Sequence, residues 1–296
     1  MNALIVAVIT AAAIAGVAAL VWLGLRVPPR PLPGPRASAA PPAEVELPAE
    51  VEPPAEVEPP AEVELPVDLP WPVRRFYRAI GAGHRAPRVD TFTLWGRARM
   101  SRCGMPRMPV TFWSEHRVGW SGRQLLAITW YGRPILRACD QYVDGRGEMR
   151  IGGSSVAGPE IDQGENLFLW AELVLLPSVL ATRPGVRWDP VDVLSARLRV
   201  PFGAAEDEMM FRFDLTTGLL TEGTAMRHKG VGAPKVGWRI GYERWTRFDA
   251  GLFPARITVT WTDEGRPWFV LDVDGVALNA VVSDELTAPA PTPIGA

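Results

Sequence analysis

Residues 167–177 read Leu-Phe-Leu-Trp-Ala-Glu-Leu-Val-Leu-Leu-Pro, and this stretch decides the fold. Its apolar side chains recur at the spacing of one helix face, and the positions between them are mostly apolar as well. Acidic residues lie just before the stretch, where the helix dipole favours anions, and Pro177 must stop or kink the helix. A helix that is apolar nearly all round is buried on most sides.

Most of the sequence around this helix alternates between apolar and polar residues at the period of a strand. Residues 89–95 show the pattern, and turn signals such as Asp144-Gly145 and Thr217-Gly218 separate similar runs. Those runs cover residues 108–118, 124–131, 134–143, 147–151, 195–202, 208–215, 219–228, 237–247, 254–263 and 267–276. Consecutive hairpins form an antiparallel meander, and a sheet of roughly ten strands curls because strands twist.

We therefore predict an α+β fold, mainly antiparallel β. A strongly curved meander sheet, or half-barrel, should pack on one or two helices. The second helix is expected after Pro72, which suits a first helical turn, and it would carry Val73, Phe76 and Tyr77. Of the twelve tryptophans, most follow residue 70 and many lie in predicted strands. This distribution predicts a wide, aromatic-lined space inside the sheet.

The N-terminus predicts a membrane anchor over residues 1–27. Ala3 to Leu25 is an uncharged run, long enough for a hydrocarbon core of roughly 30 Å. No Lys or Arg precedes it, whereas a cleaved secretory signal, the alternative, begins with basic residues. We therefore expect a single-pass protein of the cell membrane. Arginines after the run favour a cytoplasmic domain by the positive-inside rule, whereas a long Pro-rich spacer favours an extracytoplasmic one, so the side stays open.

Residues 42–65 are four copies of a hexapeptide, PAEVEL, PAEVEP, PAEVEP and PAEVEL. Regular proline forbids a helix and favours polyproline II, and the Glu side chains repel one another. We predict a disordered or polyproline II linker over 28–70, a single β-rich globular domain over 71–284 and a disordered tail over 285–296. A docking strip for a basic partner is the alternative for the repeat. With a net charge of −2 and no concentrated basic patch, we expect no nucleic-acid partner.

Glu172 is the most informative polar residue because it interrupts the apolar helix. A carboxylate there is costly unless it is paired or hydrogen-bonded. It either forms a structural pair with an Arg, lies at an exposed edge, or faces a cavity as a polar anchor. The candidate ligand-binding residues are Glu172, Asp192, Tyr242, Trp170, Trp188 and Trp238. We assign no catalytic residue and no cofactor. We also assign no metal, because the three histidines, His84, His116 and His228, are not spaced as metal ligands on one helix or hairpin face.

The order of several weak motifs carries a family resemblance. They are Pro72-Val-Arg-Arg-Phe-Tyr77, Tyr142-Val-Asp-Gly-Arg-Gly147, Gly158-Pro-Glu160, Ala171-Glu172 with Leu175-Leu-Pro177, Trp188 with Asp192 and Ser195-Ala196, Trp238 with Tyr242, Phe253-Pro254, and Trp261. Over about residues 72–280 the chain resembles an uncharacterised bacterial family, the domain of unknown function 6544. The resemblance implies domain extent and no chemistry. By general shape, the predicted fold is similar to periplasmic lipoprotein carriers, which is an analogy of fold.

These features favour a membrane-tethered, non-enzymatic domain that binds an apolar or lipid-like ligand between sheet and helix. One alternative is a tethered scaffold or protein-interaction module without a ligand. The other is a hydrolase-type enzyme that acts on a membrane-linked substrate with Glu172 or Asp192 as acid or base. The identity of the ligand, the protein partner, the oligomeric state and the redox state of Cys103 and Cys139 stay open.

Overall fold

A computed structural model describes residues 3–35, 61–101 and 106–287. Its helices are α1 (Ala3–Arg26), α2 (Trp71–Ala79), α3 (Pro159–Leu173), α4 (Val179–Thr182) and α5 (Asp284–Thr287). The helix expected after Pro72 is confirmed as α2, which buries Val73, Phe76 and Tyr77. The apolar helix is confirmed as α3.

The strands of the main sheet begin with β3 (Thr91–Met100), because β1 (Glu62–Glu64) and β2 (Arg85–Pro87) form a separate pair. The others are β4 (Met108–Arg117), β5 (Ser121–Trp130), β6 (Arg133–Val143), β7 (Arg146–Ile151), β8 (Ser154–Ala157), β9 (Arg187–Pro190), β10 (Ser195–Phe202), β11 (Ala205–Phe213), β12 (Leu220–His228), β13 (Lys235–Phe248), β14 (Gly251–Trp261) and β15 (Pro267–Leu278). Every alternating run in the sequence is a strand, and the strands that the alternation missed are the short β1, β2, β8 and β9.

The main sheet has thirteen strands, all antiparallel, in the order β8-β7-β6-β5-β4-β3-β15-β14-β13-β12-β11-β10-β9. The chain starts in the middle at β3, winds outward to the edge strand β8, and crosses to the opposite edge at β9. It then winds back inward until β15 pairs with β3. Helix α3 lies in the crossing segment between the two edges, so chain topology alone places it opposite the middle of the sheet.

The sheet curves around α3, which contacts β5–β8 in one arm and β10–β12 in the other. Eight strand spacings separate β7 from β12 along the sheet, or roughly 38 Å if the sheet were flat. A helix is only roughly 10 Å across, so α3 reaches both arms only because the sheet bends. The edges β8 and β9 do not pair with each other. The prediction of a curved, open half-barrel is confirmed.

Helix α3 is the centre of the hydrophobic core. All its residues are buried except Pro159, Glu160 and Phe168. It approaches β7 so closely that a β-carbon on Gly147 would lie 2.6 Å from the carbonyl oxygen of Ile161. The Gly147 N–H donates a hydrogen bond to Asp162 Oδ1 at 2.7 Å. The docking of the helix on this strand therefore requires glycine at position 147.

The folded part of the chain extends beyond the predicted domain boundaries at both ends. Strand β1 lies in the last copy of the repeat and pairs with β2, and Leu65 and Leu69 are buried. The folded part of the chain therefore begins by residue 61, before the predicted domain boundary at residue 71. At the other end, α5 includes a buried Leu286 beyond the predicted end at residue 284. Residues 36–60, which hold most of the repeat, and residues 288–296 of the predicted tail lie outside the described residues.

One helix in the described part of the chain is long and apolar enough to cross a membrane, Val6–Arg26 within α1. Its mean hydropathy is 2.4. A signal sequence near an N-terminus has the same length and apolar composition. The end of α1 meets the β5–β6 hairpin, where the Tyr131 N–H donates to the Gly24 carbonyl at 2.9 Å.

Candidate functional site

A cavity of about 270 Å³ lies between the first half of α3 and the concave face of the sheet. Its walls come from β3, β5, β6 and β7 in one arm and from β12 to β15 in the other. The apolar part of the wall consists of Met100, Leu126, Met149, Ile161, Phe168, Trp238, Val259, Trp261, Trp268 and Phe269. This volume is just below the roughly 300–1,000 Å³ of typical ligand pockets. The cavity therefore suits one small apolar group or part of a longer chain.

A buried ion pair joins α3 to β12 beside the cavity. Glu165 Oε1 accepts a hydrogen bond from Arg227 Nη2 at 3.0 Å, and both side chains are largely shielded from solvent. The Arg227 guanidinium also lies 4.9 Å from the centre of the Trp238 ring. Burial raises the pKa of the Glu165 carboxyl, and the opposing effect of Arg227 is smaller. Burial outweighs pairing here because desolvation disfavours the ionised carboxylate.

Charged side chains form the rim of the cavity. Lys229 Nζ donates to Asp263 at 2.9 Å and to Glu264 at 2.8 Å, and it lies 5.4 Å from the Trp261 ring centre. Glu160 and His228 complete this polar rim. The cavity thus changes from apolar to charged along its length, which is the arrangement that an amphiphile requires.

Two indole N–H groups in the wall have no acceptor among the described residues. They belong to Trp238 and Trp268, and both Nε1 atoms are buried. A buried donor without a partner costs roughly 1–3 kcal/mol, and native folds leave few such donors. Both side chains line the same cavity.

A buried polar network connects the cavity wall to the interior of α3. Gln124, which lines the cavity, donates from Nε2 to Ser114 Oγ at 2.9 Å. The Ser114 hydroxyl donates to Glu172 Oε1 at 3.2 Å, and His116 Nε2 lies 2.5 Å from Glu172 Oε2. A β-carbon on Gly122 would lie 2.2 Å from His116 Nδ1, so the imidazole fits only beside glycine.

This network does not form a nucleophilic triad. In such a triad the imidazole contacts the hydroxyl and takes its proton, whereas here both His116 and Ser114 contact the Glu172 carboxylate. The imidazole is fully buried. Within the described residues, no group of three or more His, Cys, Asp or Glu side chains is placed to hold a metal ion.

The residues predicted for the site lie in different parts of the structure. Trp238 lines the cavity. Glu172 lies behind the wall, and its partner is His116 rather than the Arg considered from the sequence. Asp192 is exposed in the turn before β10, where its Oδ1 accepts the N–H of Leu194 at 2.7 Å. That carboxylate caps a turn and does not reach the cavity.

The other three predicted residues have structural partners. The Tyr242 hydroxyl donates to the Ala171 carbonyl at 2.7 Å, and burial raises its pKa. Trp188 Nε1 donates to the Tyr77 hydroxyl at 3.0 Å. Trp170 donates to Asn166 at 3.1 Å, on the side of α3 that faces away from the cavity. Tyr242 therefore ties α3 to the sheet, Trp188 ties α2 to β9, and the Trp170 bond lies within α3.

Several residues of the cavity were missed by sequence reasoning, namely Gln124, Glu165, Phe168, Arg227 and Trp268. A signal existed for three of them. Gln124 and Arg227 are polar residues within strongly alternating strands, and Glu165 lies two residues before the apolar stretch that begins at Leu167. Nothing in the sequence indicates that Glu165 and Arg227 meet, because 62 residues separate them.

Comparison with solved structures finds distant similarities. A LolA superfamily protein from Nitrosomonas europaea is 9% identical, with a TM-score of 0.40 over 68% of this chain and 90% of that one. A DUF1329 family protein from Desulfovibrio piger is 12% identical, with a TM-score of 0.41 over 72% of this chain and 92% of that one. At these scores the similarities support no assignment.

Sequence comparison is more specific. No curated protein matches the chain. Residues 59–272 match the family of unknown function DUF6544, which agrees with the resemblance carried by the motif series. The match covers most of the chain and begins in the repeat, just before β1. This chain therefore belongs to the DUF6544 family.

Proposed function

We propose that this protein is a membrane-tethered binding domain that holds an apolar, lipid-like ligand between α3 and the concave face of the sheet, without catalysing a reaction. The observation that carries the proposal is the cavity of about 270 Å³ with its aromatic wall. An unfilled cavity lowers the free energy of unfolding relative to a close-packed interior, and the protein nevertheless retains this one.

The polar groups of the cavity specify the ligand further. The unpartnered indole N–H groups of Trp238 and Trp268 favour a ligand with an acceptor oxygen. Arg227 and Lys229 provide positive charge in the lining of the cavity. An acyl chain that ends in a carboxyl or ester group has both features. The apolar part would lie against the tryptophans and the oxygen atoms near the indoles.

Binding is favoured over catalysis by the positions of the carboxylates. Glu172 is held by His116 and Ser114 behind the wall, and Asp192 lies in an exposed turn. Neither residue lines the cavity. The two carboxylates that the enzymatic alternative names, Glu172 and Asp192, are therefore remote from a ligand in this site.

Photolabelling of the full chain in nanodiscs tests the proposal. The probe is a palmitic acid analogue with a diazirine on its chain, and labelled peptides are identified by mass spectrometry. We expect adducts on the cavity wall, including the peptides with Phe168 and Trp238, in addition to adducts on α1 from the surrounding lipid.

A matched pair of variants provides the control. Val259→Trp fills the cavity, whereas Thr258→Trp adds the same side chain on the other face of β14. Labelling of the wall should be lost in the first variant and kept in the second, while thermal melting shows that both are folded. Equal labelling of the wall in both variants, or adducts on α1 alone, would refute the proposal.

A further inference from the structure

A second cleft, of about 420 Å³, lies at one end of the half-barrel. The β4–β5, β6–β7 and β10–β11 turns surround it, and α3 and the segment after α4 complete its wall. The lining includes Arg117, Trp120, Tyr142, Asn166, Trp170 and Arg183. It shares no lining residue with the first cavity, because α3 presents a different side to each.

Two guanidinium groups lie against one tryptophan in this cleft. The Arg183 guanidinium lies 3.8 Å from the centre of the Trp120 ring, and the Arg117 guanidinium lies 5.9 Å from it. Trp120 itself remains 49% exposed. Stacking on an aromatic ring holds a guanidinium in place without using its hydrogen-bond donors.

These two arginines differ from others on the sheet because no carboxylate pairs with them among the described residues. Arg97 forms a bidentate ion pair with Asp274. Arg187 pairs with Glu206, and Arg199 pairs with Asp189. By contrast, the Nε atom of Arg183 is buried without an acceptor. The cleft thus concentrates two unneutralised charges and an unsatisfied donor.

We propose that this cleft binds an oxyanion, a carboxylate or phosphate group, carried on a small apolar or aromatic body. The planar guanidinium fork matches two oxygen atoms of such a group. Trp120, which is 49% exposed, offers an apolar surface to the rest of the ligand. Asp144 also lines the cleft and is exposed, so it disfavours a second negative group on the ligand.

Binding of phenyl phosphate to the full chain in nanodiscs of neutral lipid tests this site. We expect phenyl phosphate to bind in isothermal titration calorimetry, inorganic phosphate to compete with it, and phenol, which lacks the charge, not to bind. A parallel titration with phosphatidylglycerol vesicles distinguishes the source of the anion. Competition by these vesicles assigns the site to a lipid headgroup, and competition by inorganic phosphate alone assigns it to a soluble anion.

Variants locate the site. Arg117→Gln and Arg183→Gln should each weaken phenyl phosphate at least about tenfold, as expected for the loss of a charge-assisted hydrogen bond. Arg183→Lys should weaken it less, because it keeps the charge and loses the fork. Arg137→Gln, an exposed arginine outside both cavities, is the matched control and should bind normally. No binding to the unmodified chain, or unchanged affinity in both the Arg117 and Arg183 variants, would overturn the inference.

This test is independent of the first cavity. If Arg183→Gln does not fold, Arg117→Gln and the phosphate competition still decide the outcome. Photolabelling of the Phe168 wall should be unaffected by either arginine variant, so failure at one site leaves the other proposal intact.

Discussion

His116 on β4 and Glu172 on α3 are joined by the shortest contact in the buried polar network, with 2.5 Å between Nε2 and Oε2. Their side chains are 0% and 5% exposed. The pair connects the middle of the sheet to the helix that fills its concave face. Phe92 stacks on the imidazole with 5.7 Å between ring centres, so apolar packing and hydrogen bonding act on the same side chain.

Removal of one partner of this pair should be strongly destabilising. We expect Glu172→Ala to lower the free energy of unfolding by about 3 kcal/mol, because it leaves His116 buried without its partner. Glu172→Gln, which keeps an acceptor, should cost about 1 kcal/mol. Urea denaturation measures both. The control is Asp90→Ala, which removes an exposed ion pair with Arg88 and should change stability by less than about 1 kcal/mol. Equal losses for Glu172→Ala and Asp90→Ala would contradict this role.

The pH dependence of stability should reveal Glu165. Burial raises its pKa in the folded protein above the ordinary value of about 4.3 for Glu. The folded state therefore favours the protonated form, and the contribution is fully present below the ordinary pKa and is lost as pH rises through the raised one. Glu165→Gln, which mimics the protonated form, should flatten this decline in urea denaturation measured at several pH values. If the unmodified protein instead gains stability from this group as pH rises, Glu165 is ionised and paired with Arg227.

The indole N–H groups should contribute to ligand affinity. We expect Trp268→Phe and Trp238→Phe each to weaken labelling by the diazirine palmitate about fivefold, as for the loss of one hydrogen bond of about 1 kcal/mol. Trp95→Phe is the matched control, because Trp95 stacks on Trp113 outside the cavity. Concentration-dependent photolabelling measures the effect. Equal weakening in all three variants would show that the indole N–H groups do not contact the ligand.

The close approach of β7 to α3 predicts a steric effect at Gly147. Gly147→Ala should destabilise the protein by roughly 1–3 kcal/mol, as overpacking does, because the new β-carbon would collide with the backbone of Ile161. Gly153→Ala, in a neighbouring turn with no atom within 4 Å of the added carbon, should be neutral to about 0.5 kcal/mol. Thermal denaturation of the two variants compares them directly, and similar melting temperatures would argue against tight docking.

The proposed membrane anchor also allows a direct test. Ile14→Arg places a charge in the middle of α1, where an arginine disfavours insertion by about 2.5–3.5 kcal/mol. We expect a larger fraction of this variant to be extracted from membranes by alkaline carbonate. Val67→Arg, at an exposed position beyond the anchor, should remain in the membrane fraction. Release of the unmodified chain by carbonate would rule out a spanning helix.

The sequence predicted the architecture well because the patterns that define it are local. The apolar run at 167–177 identified α3, and alternation identified the long strands. Their arrangement as a curved meander followed from the turns between them. The short edge strands β8 and β9 were missed, since four residues are too few to establish a period. All four residues of β8 are exposed, so this strand has no buried face.

The candidate site was harder to predict because it forms from distant parts of the chain. His116 and Glu172 are 56 residues apart, and no spacing rule relates a strand residue to a helix residue. Asp192 looked like a rim residue beside Trp188, but its carboxylate satisfies a local turn instead. Among the tryptophans, the sequence does not indicate which indoles have partners. Trp188 and Trp238 look alike until Tyr77 is found beside the first.

The pairing of β3 with β15 makes the two ends of the folded chain neighbours, since Phe92 lies opposite Leu278. In a simple meander the last strand is peripheral, and its removal shortens the sheet by one strand. Here a truncation before residue 267 would divide the sheet into two halves that remain connected only through the α3 segment. Assembly of the native sheet must also await synthesis of β15, and folding should be slow, as is typical of non-local pairing.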